Sequence, residues 1–258
     1  MDVVGGLLID IDGVLVVSWE SIPGAREAVD ALRSTGLPMR FATNTTSRTR
    51  AEVAAGLAAA GMAVEPEEIL TAPAATAAFL RAEHAGARCF LINEGDLSAD
   101  LAGVELVAGG PADVVVLGGA GPAYSYEALN QAFRLLRDGA ALVAMHRNLA
   151  WMTADGMQLD TGGFVRGLEE AACVEATVVG KPSPDFFATA AAVLEVDAGS
   201  VVMVGDDVVN DVLGAQAAGM RGILVRTGKF EESALEGLER QPDLILDSVV
   251  DLPPVLGG

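Results

Sequence analysis

The sequence predicts an α/β fold: a doubly wound, mostly parallel sheet covered by helices on both faces, with a second α/β unit inserted within it. Three observations predict it. Short apolar, β-branched runs alternate with segments of helical spacing along the whole chain. Residues able to do chemistry stand where those runs end: Asp10 and Asp12, Thr43 and Asn44, Lys181, and Asp206. A parallel sheet collects such positions on one rim, beyond the carboxyl ends of its strands, where folds of this class bind ligands. Finally, the long block between Asn44 and Lys181 carries strands and helices of its own.

The first strand lies within residues 7–15, where apolar residues run up to Asp10 and resume after Gly13. Asp10 and Asp12 are two apart, so on a continuing strand they share one face. At a separation of about 4 Å and an effective dielectric of about 20, two such charges repel by about 4 kcal/mol, so a neighbouring cation is expected. The bland alternative is a strand that ends in solvated turn acids. Ala25, Ala28, Val29 and Leu32 give a short amphipathic helix stopped near Gly36, and residues 39–42 a second strand. The polar run 43–47 leads into a helix with Thr49 and Glu52 at capping-box spacing and Val53 and Leu57 on its apolar side. Strand, polar loop and helix together form an anion site; read alone, Thr43 and Asn44 could equally be a helix cap.

From residue 72 to 173 the chain reads as a separate block. Residues 89–93, 114–118 and 141–145 are strand-like and 126–137 helical. Gly118, Gly119 and Gly121 follow a strand, but the third glycine position of a dinucleotide loop is unfilled and no ribose-binding acid follows, so a turn is expected. Asp155-Gly156 and Gly162-Gly163 mark a turn-rich stretch, expected as a hairpin or substrate-facing arm over residues 155–164. The last third resumes the alternation: a strand at 177–179, Gly180-Lys181-Pro182 with Ser183 and Pro184 opening a helix, a strand at 201–204 ending in Gly205-Asp206-Asp207, a helix towards Gly219, and strands at 223–225 and 244–246.

Composition narrows the function. With 258 residues and 51% hydrophobic content, the chain can bury a large core. A formal charge of −20 argues against partners that need a positive field, so neither nucleic acid nor an anionic membrane surface is expected. An anionic substrate must then be drawn in by local cations. Cys89 and Cys173 are far apart and form no metal-binding or disulfide pattern, which fits a reducing cytoplasm. No run is long and apolar enough to span a bilayer, and a soluble protein is expected. With His84 and His146 as the two histidines, an imidazole-rich metal site is poorly supported.

The chemistry follows from residue types. Oxygen ligands without histidine or cysteine suit a hard cation, magnesium in particular, which would offset the repulsion between Asp10 and Asp206. A carboxylate beside a metal-bound phosphoryl group is a competent nucleophile, and Asp10 is the candidate. Asp12 can donate a proton to the leaving group and later take one from water. Lys181 supplies a cation, and Thr43 with Asn44 can donate to phosphoryl oxygens. Taken alone, Lys181 could be an ordinary solvated loop lysine.

Asp-Ile-Asp-Gly-Val-Leu near the start, Ala-Thr-Asn after the second strand, Gly-Lys-Pro much later, and Gly-Asp-Asp with Asp211 last resemble the four ordered motifs of the haloacid dehalogenase superfamily. Connecting runs such as Val-Val-Gly-Lys-Pro-Ser-Pro-Asp-Phe-Phe and Arg-Thr-Gly-Lys-Phe look closest to its NagD-like subfamily IIA, the branch that contains phospholysine phosphohistidine inorganic pyrophosphate phosphatase and its hydrolase-domain relatives. The resemblance implies a Rossmann-like core of residues 1–72 and 174–258 with an inserted C2-type cap over residues 73–173. It implies a Mg2+-dependent phosphatase of a small phosphorylated metabolite, a phosphomonoester or else a phosphoamide or pyrophosphate, acting through an aspartyl-phosphate. Asp10 would be the nucleophile, Asp12 the acid/base and, through its backbone carbonyl, a metal ligand. Thr43, Asn44 and Lys181 would bind phosphate, with Lys181 balancing charge, and Asp10 and Asp206 would hold the metal. Asp207 and Asp211 are left between metal contact and loop positioning. Pairing of caps into a homodimer is allowed by this reading and not required by it.

Three rivals share the residues. A hydrolytic dehalogenase needs neither a metal cluster nor a proton donor at Asp12. A phospho-acceptor switch would be about half this length and ill served by an acid/base beside its phosphoaspartate. A non-catalytic binding protein on the same fold has no reason to keep every catalytic residue type.

Overall fold

In the computed structural model, which describes residues 4–153 and 156–256, the chain forms two compact units. The first comprises the chain up to Thr43, Arg50–Leu70 and Lys181 onward; the second comprises Asn44–Thr49 and Thr71–Gly180.

The first unit is built on a six-stranded sheet in the order Leu244–Leu246, Arg221–Val225, Val201–Gly205, Gly6–Asp10, Met39–Thr43 and Ile69–Thr71. Gly6–Asp10 pairs in parallel with Val201–Gly205 on one side and Met39–Thr43 on the other. Both Gly6–Asp10 and Val201–Gly205 are buried throughout, as their unbroken apolar runs require of central strands covered on both faces. From Gly6–Asp10 the chain proceeds to one edge and later returns at Val201–Gly205 towards the other, so the topological switch point lies between these two strands. The helix Ala25–Ser34 turns Ala25, Ala28, Val29 and Leu32 into the core. Full burial of Leu32 alone stabilises by about 2 kcal/mol.

The first strand ends at Asp10 and does not continue through Asp12. The Ile11 carbonyl accepts from the amides of Val14, Leu15 and Val16 at 3.4, 3.0 and 3.1 Å, closing a tight turn that holds Asp12. A small hairpin follows, Val16–Val17 against Glu20–Ser21, which the sequence reading did not anticipate. The helix expected to run towards Gly219 is instead a π-helical turn, Val208–Leu213, and one α-helical turn, Gly214–Ala217. Such wide turns are frequent at functional sites because they re-aim one side chain, here Asp211.

The second unit has a five-stranded parallel sheet in the order Ala176–Val178, Ala141–Ala144, Val114–Leu117, Arg88–Ile92 and Glu105–Leu106. Ala176–Val178 lies beyond residue 173 in the chain, yet it registers with Leu142–Ala144 in this sheet. The expected loop at Gly118–Gly121 is a turn: the Gly119 amide is spent on Asn93 Oδ1 at 2.6 Å, and Tyr124 Oη donates to the Gly118 carbonyl at 2.6 Å. An antiparallel hairpin joins Ala150–Thr153 to Gly156–Leu159; Asp155 lies outside the described residues. Gly162 and Gly163, expected in the same turn-rich stretch, are helical, within Thr161–Ala172. Gly162 is there for close approach, since a Cβ would overlap the carbonyl of Arg147. Cys89 is buried, Cys173 exposed, and both are free thiols. Among the described residues no helix is long and apolar enough to cross a membrane.

Candidate active site

At the switch point of the first unit, Asp10 ends one central strand and Asp206 immediately follows its neighbour. With Asp211 they bring three buried carboxylates together, one oxygen of each lying within 4.8 Å of the others. At that separation and an effective dielectric of about 20, each pair of charges repels by about 3 kcal/mol. Lys181 is the counter-ion: its Nζ donates to Asp10 Oδ1 and, at 2.7 Å, to Asp211 Oδ1, with all three side chains buried.

The proton affinities record the strain. Burial raises the Asp10 pKa well above the usual carboxylate value; Lys181 pulls it back, and Asp211, Asp206 and Asp12 push it up again. Burial and the Asp211 charge push Asp206 up to about 6, against the Lys229 amide that stabilises its charged form. Burial alone would lower the Lys181 pKa, but Asp10 and Asp211 overcome it and hold the ammonium above its ordinary value. Three carboxylates face one buried ammonium, a formal excess of negative charge among buried oxygen donors that the more exposed Lys229 offsets in part. That donor set fits one hard divalent cation.

The uncommitted atoms are specific. Asp10 Oδ1 is held by Lys181, while among the described residues its Oδ2 accepts no hydrogen bond. Asp211 is committed at both oxygens, Oδ1 to Lys181 and Oδ2 to the Asp207 amide at 3.2 Å. Asp206 Oδ2 accepts from the Lys229 amide at 2.6 Å. Asp12 is half-buried, and the Thr43 hydroxyl donates to its Oδ2 at 3.1 Å. Asp207 spends its carboxylate on its own turn: Oδ1 accepts from the amides of Val209 and Asn210, and Oδ2 from Asn210 Nδ2 at 2.7 Å.

Asp10, Asp12, Thr43, Lys181, Asp206, Asp207 and Asp211 thus all lie in the first unit, whereas Asn44 opens the short segment Asn44–Thr49 of the second. The segment Thr227-Gly228-Lys229 lies in the Arg-Thr-Gly-Lys-Phe run that carries the family resemblance, but the sequence reading gives it no role at the site, although it follows the strand Arg221–Val225 as the other site residues follow theirs.

The haloacid dehalogenase-like hydrolase family matches residues 7–107, and the HAD-hydrolase-like family matches residues 178–252. Haloacid dehalogenase-like hydrolase domain-containing protein 2 of Bos taurus is 38% identical over 94% of this chain and 92% of its own length. The chain belongs to the haloacid dehalogenase-like hydrolases. Within that family, the phospholysine phosphohistidine inorganic pyrophosphate phosphatase of Mus musculus is 37% identical over 96% of this chain and 91% of its own. NagD from E. coli K-12 superposes with a TM-score of 0.88 at 28% identity, covering 96% of this chain and 98% of that one. The resemblance to the NagD-like branch is therefore borne out over nearly the whole chain, as is an α/β fold with an inserted cap. Haloacid dehalogenase-like phosphatases use a divalent metal, and the acidic cluster of this chain is suited to one.

Proposed function

We propose that this chain is a magnesium-dependent phosphatase of a small phosphorylated metabolite, with Asp10 as the nucleophile. The observation that supports it most is the state of Asp10: one oxygen is fixed by Lys181, the other is uncommitted, and burial keeps the group from ordinary solvation. Asp10, Asp206 and the Asp12 backbone carbonyl would hold the metal, with Asp211 in the same cluster but engaged at both oxygens by Lys181 and the Asp207 amide. When bound, Mg2+ supplies charge neutralisation for the phosphoryl oxygens and the nucleophile.

The free oxygen of Asp10 attacks phosphorus as the bond to the leaving oxygen breaks, and Asp12 gives that oxygen a proton. Water then attacks the aspartyl-phosphate, Asp12 takes back a proton, and the bond between Asp10 and phosphorus breaks to release phosphate. The single proton of the Thr43 hydroxyl orients Asp12 in the free chain and would turn to a phosphoryl oxygen when substrate binds, with Asn44 the second phosphate donor that the family motif implies. Asp207 acts by shaping the turn that presents Asp211.

Phosphomonoesters are the first substrates to test; the name of the mouse relative adds phosphoamides and pyrophosphate. Exposed Leu149, Met157 and Leu159 at the hairpin of the second unit support a homodimer formed through the cap. Free thiols support a cytoplasmic setting. The deciding assay is p-nitrophenyl phosphate turnover with and without Mg2+. Activity is expected with the metal alone, and Asp10→Asn is expected to reduce it to background while the protein stays folded. Retained turnover in pure Asp10→Asn protein would overturn the assignment of the nucleophile.

A further inference from the structure

Two glycines far apart in the chain meet at one oxygen atom. A Cβ at Gly13 or at Gly228 would overlap Asp206 Oδ2, and the Cβ of Gly228 would also come within 2.5 Å of the Gly13 Cα. Both have positive φ, +89° and +60°. The two backbones therefore wall the same carboxylate oxygen, an approach that side chains would prevent. Two hydrogen bonds close the arrangement. The Thr227 hydroxyl donates to the Gly13 carbonyl at 2.5 Å, and the Lys229 amide donates to Asp206 Oδ2 at 2.6 Å. The segment Thr227-Gly228-Lys229 is thus fastened to the turn after Asp12 at one end and to Asp206 at the other.

We infer that Thr227-Gly228-Lys229 is a positioning strap, which fixes Asp206 Oδ2 by backbone contacts so that the other oxygen is presented to a divalent cation in a set orientation. The inference rests on the metal-dependent reading above and adds residues that none of the four motifs contains. A buried carboxylate with one oxygen immobilised loses its rotational freedom before the cation arrives, so the strap contributes affinity through preorganisation. The Thr227 hydroxyl acts at one remove: it holds the strap against Gly13 and touches no ligand atom. Its removal should loosen Asp206 without altering Asp10 or Lys181, which are tied to each other and to Asp211.

Thr227→Val keeps the shape and deletes the donor, Thr227→Ser restores it, and Gly228→Ala places a methyl against Asp206 Oδ2. Each protein is titrated with Mg2+ alone by calorimetry, and the Mg2+ concentration giving half-maximal p-nitrophenyl phosphate turnover is measured beside it. Loss of an outer partner of a metal ligand weakens metal binding about tenfold or more, which is the expected effect of Thr227→Val and Gly228→Ala in both measurements. The KM for p-nitrophenyl phosphate at saturating Mg2+ should stay within about twofold, and Thr227→Ser should return metal affinity to the parent value. Unchanged Mg2+ affinity in folded Thr227→Val overturns the strap, as does an equal loss in Thr227→Ser. The calorimetric arm separates this from the parent reading. If the unmodified protein binds Mg2+ and hydrolyses nothing, the phosphatase proposal fails, while weaker binding in Thr227→Val still upholds the strap. If the unmodified protein does not bind Mg2+, both fall.

Discussion

Lys181 carries the electrostatics of the site at the scale of a single residue. Its ammonium bridges Asp10 and Asp211 inside the protein, while the more exposed Lys229 ammonium acts on Asp206 without, among the described residues, an ion pair of its own there. Breaking a buried pair by removing one partner typically costs about 3–5 kcal/mol, because the surviving charge is left without compensation. Lys181→Met should therefore abolish turnover and lower stability in chelator by an amount of that order, measured by urea denaturation. Mg2+ should then raise the Tm of the variant more than that of the parent, since the cation substitutes for the lost ammonium. Lys181→Arg should not restore activity, because a planar fork cannot replace a point donor between two carboxylates. Asp10, Asp12, Lys181 and Asp206 were legible in the sequence for one reason: each stands just beyond a strand-like run. Asp207 was harder to place, since its type and position match those of a ligand while its carboxylate is consumed by amides three residues away or less. Lys229 was invisible as a partner of Asp206 because it contributes a backbone N–H, which no side-chain pattern encodes.

At the scale of elements, alternation of apolar runs with helical spacing is a strong signal, and every strand of five residues in the first sheet, Gly6–Asp10, Met39–Thr43, Val201–Gly205 and Arg221–Val225, falls in a run the sequence marks. The hairpin Val16–Val17 with Glu20–Ser21 falls below that signal: its strands are two residues long, too short to show a period. Gly162 and Gly163 misled in the opposite sense, because adjacent glycines usually mark a turn, whereas here the helix needs a bare face against the carbonyl of Arg147. The helix Ala25–Ser34 is also tied to the turn Pro66–Glu68, with Arg33 Nη1 and Nη2 donating to the two carboxylate oxygens of Glu68 at 2.7 and 2.8 Å. The hydrogen bonds from Arg33 hold the Glu68 pKa below its ordinary value of 4.5. A carboxyl depressed in the folded state binds fewer protons there than in the unfolded chain, so the stability it confers is present above pH 4.5 and lost as pH falls through the lower folded value. Both partners are partly solvated, so the pair contributes at most about 1 kcal/mol. Glu68→Gln should accordingly cost less than about 1 kcal/mol at pH 7 and nothing in strong acid, where the parent carboxyl is also neutral. A penalty that persists unchanged to strong acid would show that side-chain packing, and not charge, is what the substitution removes.

Over the whole molecule, 36 acidic residues against 16 basic ones give a formal charge of −20. A phosphorylated substrate approaches against that field. Lys181, the buried cation, is already committed to Asp10 and Asp211 and cannot steer at long range. Raising NaCl from about 0.01 to 0.15 M shortens the screening length from about 30 to 8 Å, which removes the repulsion of distant acids while leaving contacts within the site nearly intact. The kcat/KM for a dianionic phosphomonoester should therefore rise with salt, contrary to the fall seen where a protein field attracts its ligand. The leaving group supplies the control. A phosphomonoester whose leaving group carries a quaternary ammonium has less net negative charge, so its kcat/KM should rise less over the same range. Equal slopes for the two substrates would mean that chloride acts on the protein itself. A fall for the dianion would mean that cations at the site mouth, with the exposed Lys229 the first to test, outweigh the acidic surface in capturing substrate.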